Sequence, residues 1–151
     1  MKAFYNFTQK IKDAVSAEPF VKTITFGSIY DVDLSKMALY PLTHVLVEAA
    51  TISDNTITFN ASIICMDLVD ESKDDTTDVY RGNDNEQDVL NTQLALGTRI
   101  VAKLQRGTLF QDGFHIVGDA DCEPFTDRFE QAVAGWVVNI VVEVKNDMTS
   151  C

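Results

Sequence analysis

The residues best suited to chemistry are few and scattered. His44 and His115 are the only histidines, and no local spacing pairs either with a nucleophile or an orienting carboxylate. Each reads as a structural imidazole. Cys65, Cys122 and Cys151 are too widely spaced for a zinc site or a disulfide framework. They read as reduced thiols, with Cys65 and Cys122 serving as small buried hydrophobes. The seven glycines never gather into a phosphate-cradling loop. Asp119, Asp121 and Glu123 alternate, so a strand would set three carboxylates on one side. Such a set could hold Mg²⁺ or Ca²⁺, which prefer oxygen ligands, or receive a partner's Lys or Arg, or simply face water. Asp31 and Asp33 with Lys36 read as a capped turn with a local ion pair.

The strongest departure from average composition lies at 70–88. Asp70, Glu71, Asp74, Asp75, Asp78, Asp84, Glu86 and Asp88 stand there against Lys73 and Arg81. Val79 and Tyr80 are its main apolar residues, so the stretch cannot contribute much to a core. It is expected to be a long solvated loop, and loops of that length in compact domains are often functional. No glycine stands where an EF-hand would require one.

Acidity also marks the whole chain. Its 151 residues include 12 Lys+Arg and 23 Asp+Glu, a formal charge of −11. Broad binding to nucleic acid or to anionic membranes needs clustered positive charge, and that is missing. No run approaches the roughly 18 apolar residues of a membrane-spanning helix, and the first ten residues do not read as a signal peptide. The length fits a single domain over 1–151. A chain of this size buries about 70% of its extended surface on folding, which needs no metal or disulfide.

The elements follow from periodicity. Phe4, Phe7, Ile11, Ala14 and Val15 predict a first helix, ended by Pro19. A short strand is expected over 21–26, then two long ones over 42–52 and 56–70 joined by a tight turn at 53–56. In the second long strand Ile57, Phe59, Ala61, Ile63 and Cys65 form one apolar face. From Ile64 the other register turns apolar as well, so either a bulge switches faces or both faces are covered. A second helix is expected over 86–105, with acids at its start, Lys103 and Arg106 at its end and Gly107 as its stop. Gly97 within it costs about 1 kcal/mol relative to Ala, which a close approach to another backbone would explain. Strands near 115–117 and 128–144 complete the order α-β-β-β-α-β-β. This predicts an α+β fold: a single antiparallel or mixed sheet with two helices packed on one face.

A set of stretches carries a resemblance along nearly the whole chain. They are Ile24-Thr25-Phe26-Gly27 with Asp33-Leu34-Ser35-Lys36, Tyr40-Pro41-Leu42-Thr43-His44, Ile57-Thr58-Phe59-Asn60 and Met66-Asp67-Leu68-Val69-Asp70-Glu71-Ser72-Lys73. Further on stand Arg81-Gly82-Asn83-Asp84-Asn85-Glu86, Val89-Leu90-Asn91-Thr92-Gln93-Leu94-Ala95, Glu123-Pro124-Phe125-Thr126-Asp127-Arg128-Phe129-Glu130, Ala134-Gly135-Trp136 and Asn146-Asp147-Met148-Thr149-Ser150-Cys151. Together they resemble virion proteins of tailed bacteriophages that infect Bacteroides and related hosts, in particular the crAss-like phages.

The resemblance implies a neck or tail component, similar in element order to tail-terminator and tail-completion proteins. Its role would be structural, with no catalysis and no cofactor. Its partners would be copies of itself in a ring, twelve-fold symmetry favoured and six-fold the alternative, together with adjacent neck, tail or portal-associated rings. DNA would be met only in passage through the channel, and no membrane is involved. The protein would assemble in the host cytoplasm and end in the virion. Asp70, Glu71, Asp74, Asp75, Asp78, Tyr80, Arg81, Asp84, Glu86 and Asp88 then form the candidate inter-subunit or channel loop. Two other classes stay open from the residues alone. One is an acidic protein-binding module outside the virion. The other is a metal-dependent hydrolase built on Asp119, Asp121 and Glu123.

Overall fold

The structure, a computed structural model, describes residues 3–28, 40–69, 85–106, 113–126 and 133–145. The first helix, α1, spans Ala3–Ser16 and buries Ala3, Phe7, Thr8, Ile11 and Val15. These recur at helical spacing, so one stripe faces the sheet. The strands are β1 (Thr23–Phe26), β2 (Leu42–Ile52), β3 (Thr56–Leu68), β4 (Phe114–Ile116), β5 (Asp121–Thr126) and β6 (Val133–Lys145), with the second helix, α2 (Glu86–Arg106), between β3 and β4. The fold is α+β with one mixed sheet. Its order is β1-β2-β3-β6-β4, and β5 also pairs with β6.

β1 runs parallel to β2, and every other pairing is antiparallel. β4 and β5 line successive parts of β6, at Val142–Val144 and Ala134–Asn139, so together they make one interrupted edge. The sheet therefore has one strand more than periodicity suggests. The segment with Pro124, Asp121 and Glu123 reads as loop because proline and charge are depleted from strands, yet edge strands tolerate both.

Both helices pack on the same face. Phe7, Ile11 and Val15 of α1 and Leu96, Ile100 and Leu104 of α2 join Val45, Ile57, Phe59, Ala61, Ile63, Cys65, Val138, Ile140, Val142 and Val144 in one buried cluster. Phe59 stacks on Phe7 with ring centroids 4.8 Å apart. Phe4 is 49% exposed at the rim of the helix–sheet interface, in edge-type contacts with Phe26 and Phe59. On the opposite face Tyr40, Leu42, Met66, Phe125 and Val133 form a second cluster, joined by Ile64, Leu68 and Val137.

That second cluster resolves the choice at Ile64. The β3–β6 register is unbroken from Thr56 to Leu68, so both faces are covered there. The bulge lies in β2 instead, between Val47 and Ala49. Gly97 meets a side chain rather than a backbone: a Cβ there would lie 3.0 Å from Val138 Cγ2. The close backbone approach occurs at Gly135, where a Cβ would lie 1.9 Å from the Cys65 carbonyl oxygen. Among the described residues no helix is long and apolar enough to cross a membrane.

Candidate functional site

Of the acidic segment, Glu86 and Asp88 are placed, in the first turn of α2. Carboxylates there complement the positive end of the helix dipole, worth typically 0.3–1 kcal/mol. Asp70, Glu71, Asp74, Asp75, Asp78, Tyr80, Arg81 and Asp84 lie outside the described residues, as do Asp31, Asp33 and Lys36. The start of α2 is tied to the sheet by the Trp136 indole N–H, which donates to the Leu90 carbonyl at 2.8 Å.

The face of the sheet without helices divides into two halves. Around Met66 and Leu42 it is apolar and buried. Toward the other end it turns polar. Register places Ser62, Asn139, Asp121, Glu123, Glu143 and Lys145 on this side, and the bulged Glu48 joins them through its bond to Ser62. Ser62 is buried and bonds the Glu48 carboxylate, and its Oγ lies 2.7 Å from the Asn139 side-chain amide. Asp121 and Glu123 are exposed neighbours on one side of β5, whereas Asp119 precedes the strand. Among the described residues no three His, Cys, Asp or Glu side chains group to hold a metal ion. The three alternating acids therefore do not assemble the ligand set considered for a hydrolase.

No protein-family model matches this chain, and comparison with curated proteins finds no match.

His44 is fully buried in β2 on the helix-free side. Its Nε2 lies 2.7 Å from the Gly27 carbonyl oxygen, and its Nδ1 lies 2.7 Å from Thr25 Oγ1. A carbonyl can only accept, so Nε2 carries the proton and Nδ1 accepts from the Thr25 hydroxyl. Gly27 enters the left-handed region at φ 103° and turns the chain out of β1, presenting that carbonyl. The imidazole thus fastens the parallel β1–β2 corner in its neutral form. Burial lowers its pKa from the ordinary 6.5, and the bond to Gly27 opposes this only in part. The unfolded chain then takes up a proton that the folded one resists. Stability is complete above about pH 6.5 and falls as the pH drops below it. Melting temperatures between about pH 7.5 and 5 should fall more steeply for the parent than for His44→Gln. Equal slopes would show that His44 does not titrate on unfolding.

Cys65 is buried beneath α2, and desolvation pushes its thiol up to about 12, the Thr43 hydroxyl opposite it offsetting part of the effect. Cys122, expected to be buried like Cys65, is instead exposed, because it lies on the edge strand β5; its pKa is raised by partial burial and by Asp121. Neither is a nucleophile poised at neutral pH.

Two features have no counterpart in the sequence reading. Glu18 is buried just past α1 and pairs with Arg99 at 3.1 Å and Lys103 at 2.5 Å on α2. Its neighbour in sequence, Pro19, marks the helix end but nothing local announces a buried carboxylate. The second feature is a groove of about 340 Å³ where Phe4, Phe26 and Phe59 meet the outer half of β2. The Lys12 ammonium lies over the Phe26 ring, 4.9 Å from its centroid.

Proposed function

We propose that the chain is a structural virion protein of a tailed phage, a ring subunit of the neck or tail that joins portal-proximal and tail components around the genome channel. Support comes first from the stretches that resemble crAss-like phage virion proteins. The observation in the fold that carries the proposal is the polar half of the helix-free sheet face. It presents Glu48, Asp121, Glu123 and Glu143 against one cation, Lys145, from a sheet with both helices on its far side. An acidic wall repels the phosphate backbone, so DNA can slide past without sticking. The acids of 70–88 add to the same sign of charge. Ring subunits associate through heterologous contacts that close by rotation. A terminator or completion role is the finer assignment within this class, with twelve-fold symmetry preferred to six-fold.

Quantitative mass spectrometry of density-purified particles tests it. The expected result is a fixed copy number matching a ring of twelve, or of six, for each portal ring. Absence from the particle, with abundance in the lysate, would overturn the proposal and leave an acidic binding module acting outside the virion.

A further inference from the structure

Positive charge gathers where the helices lie. Residues 3–28 and 89–106 hold Lys10, Lys12, Lys22, Arg99, Lys103 and Arg106 against two acids, Asp13 and Glu18, in a chain with 12 cations and 23 acids. Arg99, Lys103 and Arg106 stand at i, i+4 and i+7 of α2, so they share one helix face. Cations in the last turn suit the helix dipole, but Arg99 lies a turn further in, where that effect has faded. Glu18, buried past the end of α1, holds Arg99 at 3.1 Å and Lys103 at 2.5 Å. Arg99 meets it through Nη2, and its side chain is still 52% exposed, so part of the guanidinium fork remains open to water. Arg106 is exposed and has no ion-pair partner among the described residues.

We infer that this stripe receives the acidic segment 70–84 of a second copy of this chain. From Arg99 to Arg106 the stripe runs about 10 Å, at 1.5 Å per residue. An extended chain sets carboxylates three residues apart at roughly the same spacing, at about 3.3 Å per residue. The segment offers that spacing twice, at Glu71 and Asp74 and at Asp75 and Asp78. Arginine takes carboxylates through its planar fork, and Glu18 already holds two of these cations in place, which lowers the entropy lost on docking. Three cations in a chain of net −11 suit a short acidic segment. A nucleic-acid backbone would run on past them against the remaining acids.

Chain length excludes the copy's own segment. Val69, just before it, packs with Val89, and the Asn85 carbonyl, just after it, accepts from Val89 N–H at 2.9 Å. Both ends of the segment are therefore fastened at the start of α2. Along the helix Arg99 lies about 21 Å from Asn85, and Arg106 about 31 Å. At full stretch Asp75 reaches about 20 Å from Val69, and Asp78 about 24 Å from Asn85. The segment can just meet Arg99 of its own chain and falls short of Arg106. Filling the whole stripe takes a second copy, and the contact joins the start of one α2 to the end of the next. It is heterologous, the kind of contact a ring closes by rotation, and it makes no use of the acidic sheet face. It deepens the ring reading and rests on it only for closure.

The test is sedimentation velocity of the full chain over a concentration series. Salt is held at about 0.15 M, where repulsion between two acidic copies fades beyond about 8 Å. The parent should form oligomers larger than dimers, because a head-to-tail contact repeats. Arg106→Glu, and separately Asp75→Lys with Asp78→Lys, should each weaken association by about tenfold or more with the circular dichroism unchanged. Neither set touches Glu18 or the cations it holds. Mixed together, the two variant proteins should recover a dimer and stop there. The first supplies an intact segment and the second an intact stripe, and no further contact can form. One chain carrying all three changes should associate again with its charges exchanged. A parent that stays monomeric at every concentration, or oligomers that both variants leave unchanged, overturns the inference. So does a mixture that stays monomeric, the result that docking within one chain predicts. Particles that hold the chain at ring copy number, with Arg106→Glu assembling unhindered, also overturn it and leave the virion reading intact. Oligomers that obey the variants, from a chain that particles lack, support it and count against the virion reading.

Discussion

A Gly135→Ala chain is expected to melt roughly 6–12 °C below the parent, or to fail to accumulate in folded form. The Cβ of alanine would lie 1.9 Å from the Cys65 carbonyl oxygen, 2.8 Å from Met66 Cα and 2.9 Å from the Cys65 carbonyl carbon. All three are backbone atoms of β3, in the middle of a ladder whose register is continuous from Thr56 to Leu68. No rotamer change relieves such a clash, so the strands must separate. On the other side Gly135 is paired with Phe125, a buried member of the second cluster. Overpacking a core costs about 1–3 kcal/mol and occasionally more, and a collision with backbone belongs at the upper end, on the order of 3 kcal/mol. At about 2–4 °C per kcal/mol for a chain of this size, that gives the stated shift.

Gly97→Ala is the control. Its Cβ meets one atom, Val138 Cγ2 at 3.0 Å, while alanine gains about 1 kcal/mol of helix propensity over glycine. Val138 is fully buried and β-branched, so it yields little, and the two effects nearly cancel. Thermal melts of both variants decide the matter. A Gly135→Ala protein that melts with the parent would mean that the two central strands are not this close.

The contrast between these glycines marks what a sequence can reveal. A glycine in a helix stands out as a departure from propensity, so Gly97 draws notice. Gly135 sits in an apolar strand and looks ordinary, because the Cys65 carbonyl it must admit is seventy positions away in the chain. Helices and long strands are legible from periodicity, and their bounds fall within a few residues of 3–16, 42–52, 56–68 and 86–106. β5 is not, since its residues obey the chemistry of an exposed edge. Burial of His44, Gln93 and Glu18 is equally invisible, because it depends on partners contributed by distant elements. The same holds for the candidate surfaces. Acid-rich 70–88 can be read from composition, and Glu86 and Asp88 prove to serve the α2 terminus. Among the described residues the outer side of β2 is paired only as far as Val45, because β1 spans four residues, which no pattern within β2 records.

Lys103→Met should destabilise the protein more than Glu18→Gln, although the two changes disrupt the same ion pair. The Glu18 side chain is 0% exposed, whereas Arg99 and Lys103 are 52% and 38% exposed. Taking Lys103 away leaves a buried carboxylate held by Arg99 alone. Breaking a buried pair this way costs roughly 3–5 kcal/mol, and the remaining Arg99 brings the expected loss to about 2–3 kcal/mol. Methionine keeps the apolar stem that lies along the end of α1, so the loss reports charge rather than packing. Taking the charge off Glu18 strands nothing, because both cations can turn to water. That loss should be about 1 kcal/mol. In the Glu18→Gln background Lys103→Met should then cost little, giving a coupling of about 2 kcal/mol or more in a double-mutant cycle by denaturant unfolding. Zero coupling would mean that the α1–α2 junction is held by its apolar contacts alone. A large coupling would identify Glu18 as the anchor that sets the two helices side by side, and so fixes the sheet face on which both of them lie.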